Sequence, residues 1–318
     1  MHIVRRRGWE IPESRVTPEH VAMGRRAGGD TVTGRRAVLA GSAAAVLAPG
    51  LAVPRRARAD VVKVPPPGRP LTDEKWATTY NNYYEFNDSK SVWREAQKLP
   101  QRPWTVRIEG MVQKPQTIDI DTILKTIPQE ERIYRHRCVE AWAMTVPWTG
   151  FQLSALLALA EPLGSAKYVG FQTVEDDKVM DGLGAPFYPW PYTEGLTIAE
   201  AGHDLTFMVT GMYGKPVPPQ NGGPLRVALP WKYGFKSAKA IVKITLTDKQ
   251  PATFWQQLQS SEYGFWANVN PAVPHPRWSQ ATERLLGSDE RVPTLLFNGY
   301  AEQVSPLYAS LQNEPLYR

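Results

Sequence analysis

The stretch RHRCVEAWAMTVPW, residues 135–148, holds Cys138, the only cysteine among the 318 residues. A single cysteine cannot form a disulfide within the chain, so its thiol is available as a nucleophile or a metal ligand. Both roles need the thiolate, which Arg135 and Arg137 would favour if their side chains point toward the sulfur. Two alternatives stay open at this point: a nucleophile paired with His136, and a buried cysteine that only fills apolar space.

The sequence before residue 60 has the pattern of an export signal. Arg35 and Arg36 precede a short apolar run, residues 37–48, which is shorter than the roughly 20 residues that a membrane-spanning helix needs. Residues 57–59, Ala-Arg-Ala, supply the small side chains that a signal peptidase recognises. Paired arginines indicate the twin-arginine route, which exports proteins already folded, often around a cofactor. A membrane anchor or a general secretory signal is the alternative.

This signal predicts the division of the chain and its location. Residues 1–59 are predicted to be an N-terminal extension and twin-arginine signal peptide, and residues 60–318 a mature periplasmic domain. The first part holds 11 of the 37 basic residues and four of the 31 acidic ones, so the formal charge of the remainder is −1 instead of +6. Nucleic acid is therefore not expected as a partner, because its phosphates require a basic surface.

Four segments of the mature part have the pattern of β-strands. Apolar residues alternate with polar ones in residues 104–112, and residues 168–175 read as a further strand. Positions 225, 227 and 229 are also apolar, as are positions 242, 244 and 246. Strands outnumber helices, which predicts an α+β, strand-rich fold.

Two helices interrupt these strands. One is predicted to begin near Asp121, and the other to follow Thr149, which has the spacing of a capping box with Gln152. The second helix is expected to end before Pro162. Cys138 then lies on a strand end or loop shortly before a helix, where functional residues are common.

Familiar catalytic motifs are absent, but two polar segments have the composition of a ligand site. The sequence contains no GxGxxG, GxxxxGK[ST], HExxH or GxSxG pattern. Residues 78–86, TTYNNYYEF, combine amide, carboxyl and phenol groups, and residues 221–239 combine a glycine pair with arginine and lysine. Glycine lets the backbone approach a ligand, and the cations neutralise phosphate. Both segments are also typical of turns and packed surfaces, so neither decides the function alone.

Several segments resemble, in order and wording, the catalytic subunits of periplasmic protein-methionine-sulfoxide reductases, which are molybdopterin enzymes with a sulfite oxidase-type fold. The matching pieces are NNYYEF (81–86), RCVEAWAMTVPWTGF (137–151), NGGPLRVALPWKYGFKSAKAIVKI (221–244) and YGFWANVNPAVPHPRWSQATER (263–284). The resemblance covers the chain from about residue 71 to near its end.

The resemblance implies a molybdenum–molybdopterin cofactor and assigns residues to it. Cys138 is expected to be the catalytic residue and the protein ligand of molybdenum, since a soft thiolate suits that metal. The residues expected to contact the pterin are Asn81, Tyr84, Glu85 and Thr173, and those expected to hold its phosphate end are Asn221, Arg226, Ser237, Ala238 and Lys239.

The implied activity is reduction of methionine sulfoxide in oxidised periplasmic proteins. The sequence has no cysteine cluster for iron and sulfur and no CxxCH haem site, so electrons must come from another protein. In the family the donor is a membrane-bound haem subunit linked to the quinone pool. Two alternatives remain, namely a sulfite-oxidising molybdoenzyme and a non-catalytic exported binding domain.

Overall fold

Two β-sheets form most of the computed structural model, which describes residues 69–318. The predicted signal peptide and the predicted boundary after residue 59 lie outside the described residues. The strands are β1 (Thr105–Gly110), β2 (Gln116–Asp119), β3 (Glu130–Arg137), β4 (Trp142–Gln152), β5 (Tyr168–Thr173), β6 (Thr193–Thr197), β7 (Phe207–Met212), β8 (Lys215–Pro216), β9 (Arg226–Ala228), β10 (Ile241–Thr247), β11 (Thr282–Leu285) and β12 (Arg291–Pro293).

The α-helices are all short, and they connect or flank the strands. They are α1 (Glu74–Thr79), α2 (Trp93–Ala96), α3 (Ile120–Thr126), α4 (Leu153–Ala158), α5 (Ile198–Ala201), α6 (Phe254–Leu258) and α7 (Ala301–Val304). In residues 69–318, no helix has the length and apolar character that crossing a bilayer requires.

The first sheet has the strand order β2-β1-β10-β5-β6. Only β1 and β10 pair in parallel, with Ile108 opposite Ile244. The alternation predicted for residues 104–112 is confirmed, because Val106 and Ile108 are fully buried between exposed neighbours. The strand predicted around residues 242–246 is also confirmed, but its alternation is not regular. A bulge between Ile241 and Lys243 leaves position 242 partly exposed.

The second sheet has the order β12-β11-β4-β7-β8, with β3 beside β4 and β9 beside β7. Its central strand is the 11-residue β4, which is buried along most of its length. In β9 all three residues are buried, so the apolar alternation at positions 225–229 marks a strand covered on both faces. This sheet carries Cys138 at one end and Arg226 beside its middle.

One helix prediction is confirmed and one detail of the other is wrong. The helix expected near Asp121 is α3, whose N-cap Asp119 accepts a hydrogen bond from the backbone N–H of Thr122. The helix expected after Thr149 is α4, but Thr149 lies within strand β4 and Gln152 makes no side-chain cap bond. Pairing of β4 with β7 holds this segment extended, so no capping box forms.

The α+β, strand-rich class predicted from the sequence is confirmed. One continuous hydrophobic core joins both sheets, and α4 contributes Leu153, Leu156 and Leu157 to it. One cavity lies between the β3–β4 turn and the segment after β9, and residues of both line it.

Candidate functional site

Cys138 lies in the tight turn between β3 and β4. Its N–H donates to the carbonyl of Trp142 at 2.9 Å, and the N–H of Ala141 donates to the Cys138 carbonyl at 3.0 Å. Ala141 has a φ of 62°, which lets the chain reverse within the turn. The sequence placed Cys138 shortly before a helix, whereas the whole of β4 separates it from α4.

The thiol is 5% exposed and lines a cavity of about 450 Å³. The side-chain N–H of Asn82 and the backbone N–H of Glu140 each lie 3.5 Å from Sγ. The Glu140 carboxylate is held near the sulfur by Lys90 at 2.8 Å and by Trp142 Nε1 at 3.1 Å. Burial, with a further contribution from Glu140, raises the pKa of the Cys138 thiol to about 12. A metal cation bound to the sulfur would reverse this effect, because coordination favours the thiolate.

The two arginines beside Cys138 do not point toward the sulfur, contrary to the condition on which their proposed role rested. Arg137 donates from Nε to Glu283 at 2.7 Å, and Arg135 donates to the carbonyl of Asn298 at 3.2 Å. Alternation along β3 explains this arrangement, because Arg135 and Arg137 share one face and His136 takes the other. His136 is therefore the member of the triplet that lines the cavity.

His136 is poorly suited to activate Cys138 as a nucleophile. Burial, followed by the charges of Arg226 and Lys239, lowers the pKa of His136 to about 3. An imidazole this weakly basic cannot readily take a proton from a thiol whose pKa is about 12. In the described part of the chain, the polar neighbours of the sulfur are instead Asn82 and Glu140. This geometry favours a ligand role over the nucleophile pair.

A cationic end of the cavity is formed by Arg226 and Lys239. Arg226 is buried and donates to the carbonyls of Asn221 at 2.8 Å and Ser237 at 3.2 Å. Lys239 is half-buried and donates to the carbonyls of Asn82 at 2.5 Å and Gln220 at 3.2 Å. Neither cation pairs with a carboxylate of residues 69–318, so their charges are left for an anionic ligand.

Residues 237–239 contribute a hydroxyl, a small side chain and a cation to the cavity wall. The Ser237 hydroxyl oxygen accepts the N–H of Leu229 at 3.2 Å, which leaves the hydroxyl hydrogen for a ligand. The N–H of Ala238 donates to the carbonyl of Lys236 at 3.1 Å, so Ala238 offers a small side chain instead of a free donor. A hydroxyl donor and a small side chain next to a cation suit a phosphate group.

Three of the residues predicted to contact the pterin belong to the segment beside Lys239, whose ammonium contacts the Asn82 carbonyl and the Tyr83 ring at the wall of the cavity. Asn81, Tyr84 and Glu85 line it, while Thr173 sits behind Glu85 and donates to its carboxyl at 3.2 Å. Burial raises the pKa of Glu85 to about 7. Thr173 thus acts on the cavity through Glu85 in this structure.

The cavity wall contains polar atoms that lack partners within residues 69–318. The side-chain oxygens of Asn81 and Asn221 and the hydroxyl of Tyr83 are buried without a hydrogen bond. Buried polar groups are normally paired, so these atoms indicate a ligand that offers both donors and acceptors. A pterin with a phosphate and a thiolate-bound metal meets these needs together with those of Cys138, Arg226 and Lys239.

The structure brings the predicted residues to one place. Nine of them line the cavity: Asn81, Tyr84, Glu85, Cys138, Asn221, Arg226, Ser237, Ala238 and Lys239. Sequence reasoning missed Asn82 and Glu140, although both lie inside segments that it had singled out. It also missed four aromatic residues that line the cavity, Tyr188, Trp255, Tyr263 and Trp278, although Tyr263 and Trp278 lie inside the segment 263–284 that it had singled out.

Comparison with known proteins gives consistent results. The sequence model of the oxidoreductase molybdopterin binding domain matches residues 94–255. The protein-methionine-sulfoxide reductase catalytic subunit MsrP of Burkholderia mallei is 47% identical over 321 aligned residues, which cover 96% of this chain and 95% of that protein. The protein of the same name from Ralstonia nicotianae is also 47% identical, over 327 aligned residues that cover 96% of each chain.

Among solved structures, sulfane dehydrogenase SoxCD from Paracoccus pantotrophus superimposes with a TM-score of 0.43 at 16% identity. The superposition covers 52% of this chain and 42% of that one. This likeness is too weak to support an argument. The two sequence comparisons are sufficient, and they agree with a cavity that offers one thiol and two cations without a carboxylate partner in residues 69–318. The chain belongs to the molybdopterin-binding oxidoreductases and, within them, to the family of protein-methionine-sulfoxide reductase catalytic subunits.

Proposed function

We propose that this chain repairs oxidised proteins in the periplasm by reducing methionine sulfoxide to methionine, with electrons from a membrane-bound haem subunit. The observation that carries the proposal is the cavity in which the Cys138 thiol shares one space with Arg226 and Lys239, neither of which has a carboxylate partner in residues 69–318. Family membership supplies the cofactor, and the names of the two relatives supply the substrate class.

Different residues of the cavity would bind different parts of the cofactor. Cys138 would ligate molybdenum, Arg226 and Lys239 would bind the phosphate, and Asn81 and Glu85 would contact the pterin. When bound, the molybdenum centre supplies the electron transfer and the oxygen acceptance that the reduction needs. The balanced reaction converts one sulfoxide, two electrons and two protons into one thioether and one water.

The residues next to the thiol orient it. The N–H groups of Asn82 and Glu140 point at Sγ, and Lys90 fixes the Glu140 carboxylate. Hydrogen bonds to a ligating sulfur restrict its orientation and adjust its electron donation. Tyr84 and other aromatic residues line the same cavity and would surround a substrate side chain bound near the sulfur.

The electron donor must be a separate protein if molybdenum is the redox centre of this chain. The sequence has one cysteine and no CxxCH segment, and that cysteine lies in the cofactor cavity. We expect whole cells that lack the membrane haem subunit to lose methionine sulfoxide reduction by this protein. Normal turnover in such cells would contradict the donor proposal without affecting the proposed catalytic activity.

The activity is tested on purified, molybdenum-loaded protein with a reduced viologen dye as the electron source. We expect a peptide that contains methionine sulfoxide to be converted to the methionine form, which mass spectrometry detects as a loss of one oxygen. Sulfite oxidation, measured with a dye acceptor, is the competing activity on the same preparation. Loaded protein that oxidises sulfite and leaves the peptide unchanged would overturn the proposal.

Export is tested by cell fractionation. Replacement of Arg35 and Arg36 by lysine is expected to retain the protein in the cytoplasm, because the twin-arginine route depends on that pair. Unchanged periplasmic recovery of the variant would contradict this part of the proposal.

A further inference from the structure

The most exposed large apolar side chain of residues 69–318 lies near the cavity entrance. Phe187 is 68% exposed, and it follows the short 3₁₀ turn Asp181–Gly184. Its ring packs against Tyr188 with 4.4 Å between the ring centroids. Tyr188 in turn lines the cavity that contains Cys138. An exposed phenyl ring that continues directly into a catalytic cavity indicates a surface that contacts substrate.

A continuous row of rings joins Phe187 to the cavity wall. Tyr188 contacts Tyr84 with centroids 6.0 Å apart, and Tyr84 contacts Trp255 at 5.1 Å. Tyr84 and Trp255 both line the cavity. We call Phe187, Tyr188, Tyr84 and Trp255 the aromatic strip. It is apolar at the protein surface and continues inward to two rings that line the cavity containing Cys138.

The surrounding structure fixes the aromatic strip in place. A Cβ atom added to Gly182 would lie 2.0 Å from the carbonyl oxygen of Tyr84, so the loop that carries Phe187 is packed directly on the NNYYEF segment. Trp255 Nε1 donates to the Tyr192 hydroxyl at 3.1 Å, and this hydroxyl donates to the carbonyl of Phe235 at 2.7 Å. The inner rings, Tyr84 and Trp255, therefore lose little conformational entropy when the strip binds a chain.

We propose that the aromatic strip binds apolar side chains that flank a methionine sulfoxide in a protein substrate. The inference rests on the proposed function and adds a sequence preference to it. An extended chain advances roughly 3.4 Å per residue. The centroid distances from Phe187 to Tyr188 and on to Tyr84, 4.4 Å and 6.0 Å, are therefore spanned by about three residues. For a sulfoxide bound beside Tyr84, the preferred apolar residue accordingly lies two or three positions away in the substrate chain.

The test compares two peptides that differ only at the position three residues from methionine sulfoxide, one with Phe and one with Ser there. The loaded enzyme is assayed with a reduced viologen dye, so no donor subunit is needed. We expect kcat/KM for the Phe peptide to exceed that for the Ser peptide. Phe187→Ser is expected to reduce this ratio by about fivefold, the size of a lost aromatic contact, mainly through KM.

Two further variants control the measurement. Phe187→Tyr retains the ring and is expected to keep the wild-type ratio. Leu71→Ser removes another exposed apolar side chain, 49% exposed, from a position that does not line the cavity, and it should leave the ratio unchanged. The Ser peptide serves as an internal reference in each preparation, so partial loading with molybdenum does not affect the ratio.

The outcomes separate this inference from the proposed function. If wild-type enzyme reduces both peptides equally, or if Phe187→Ser keeps the wild-type ratio, the aromatic strip does not bind flanking residues and only this inference is overturned. If neither peptide is reduced by the loaded wild-type enzyme, the proposed function itself fails. A drop in the ratio with Phe187→Ser that is absent from Phe187→Tyr supports the strip.

Discussion

Lys236 and Lys239 stand three positions apart in one segment, yet their charges are satisfied in opposite ways. Lys236 is buried and forms an ion pair with the equally buried Glu194 at 2.5 Å. Lys239 faces the cavity, where its ammonium contacts the carbonyls of Asn82 and Gln220 and the ring of Tyr83 but forms no ion pair with a carboxylate of residues 69–318. A buried cation with a carboxylate partner has its charge neutralised within the fold. A cation at a cavity wall that has no carboxylate partner in residues 69–318 is neutralised when an anion binds there.

The same contrast separates two arginines. Arg137 is buried against Glu283 at 2.7 Å, and Glu283 also accepts a hydrogen bond from Arg69. Arg226 is just as buried but donates only to backbone carbonyls, including that of Asn221. Position in the sequence does not distinguish these roles, since Arg137 is adjacent to Cys138 and Arg226 is 88 residues beyond it. The partner of each cation distinguishes the two roles: Arg137, paired with a carboxylate, is structural, and Arg226, bonded to carbonyls, is assigned to the ligand.

The largest expected effect comes from removing the Cys138 thiol, which shares the cavity with Arg226 and Lys239. Cys138→Ser should lose bound molybdenum, and turnover should fall on the order of 10⁴-fold or more, the size typical of removing a central catalytic group. Elemental analysis and the dye-linked assay measure the two effects. Urea unfolding of the metal-free variant controls for damage to the fold. A variant that kept molybdenum and turnover would show that Cys138 only fills space.

The next effect tests the paired class of cations. Glu283→Gln leaves the buried Arg137 guanidinium without its carboxylate, which should lower the free energy of unfolding by roughly 3–5 kcal/mol. The matched control is Glu109→Gln, which breaks the exposed ion pair with Arg107 and should change stability by less than about 1 kcal/mol. Urea unfolding of the cofactor-free proteins measures both. Equal effects would remove the distinction between buried and exposed pairs.

Lys239→Met tests the class of cations that await a ligand. The side chain keeps its length but loses the charge, so cofactor affinity should fall roughly tenfold, as for one lost charge-assisted hydrogen bond. Cofactor-free Lys239→Met should be about as stable as the wild type. Lys236→Met is the matched variant, because it leaves Glu194 buried without its cation and should destabilise the fold. If Lys239→Met is destabilised as much as Lys236→Met, the two lysines do not differ in role as stated.

The smallest effect is a pH dependence of the cofactor-free protein. Burial raises the pKa of Glu85 from 4.5 to about 7, so its contribution to stability is present below pH 4.5 and lost as pH rises to about 7. Burial, followed by Arg226, lowers the pKa of Lys239 from 10.5 to about 7, so stability is regained as pH rises from about 7 to 10.5.

Together these two groups produce a stability minimum near pH 7 in the cofactor-free protein. The depth depends on both shifts and on the interaction of the two groups, because the Lys239 charge lowers the pKa of Glu85 and the Glu85 charge raises that of Lys239. Urea titrations across pH measure this depth. An anion bound beside Lys239 favours the ammonium form, so the loaded protein should lack the minimum. Identical pH profiles for the two forms would contradict the assignment of Lys239 to the ligand.

The sequence was sufficient for residues that act within a short segment. The alternation of Val106 and Ile108 predicted a strand, and the resemblance of the segment from Asn221 to Lys239 grouped the residues of the cationic end. Both inferences depend on neighbours in the chain, and the structure agrees with both. The family was likewise recognised from contiguous segments.

The sequence was insufficient where long-range pairing decides the outcome. The direction of Arg137 depends on a carboxylate 146 positions away, at Glu283, which no local pattern reveals. Thr149 has the spacing of a capping residue, but pairing with β7 keeps it in a strand. Phe187 reaches the cavity wall through Tyr188, and Trp255 lines the cavity from helix α6, so the aromatic strip exists only after folding.

The hydrogen bond from the Lys239 ammonium to the Asn82 carbonyl joins residues 157 positions apart. Such contacts form late in folding, because closing a long loop loses chain entropy before the contact returns any stability. The hairpin of β3 and β4 needs no such closure and can form early. We therefore expect the cavity to assemble late in folding, so that a cofactor that needs the complete cavity would bind only folded chains.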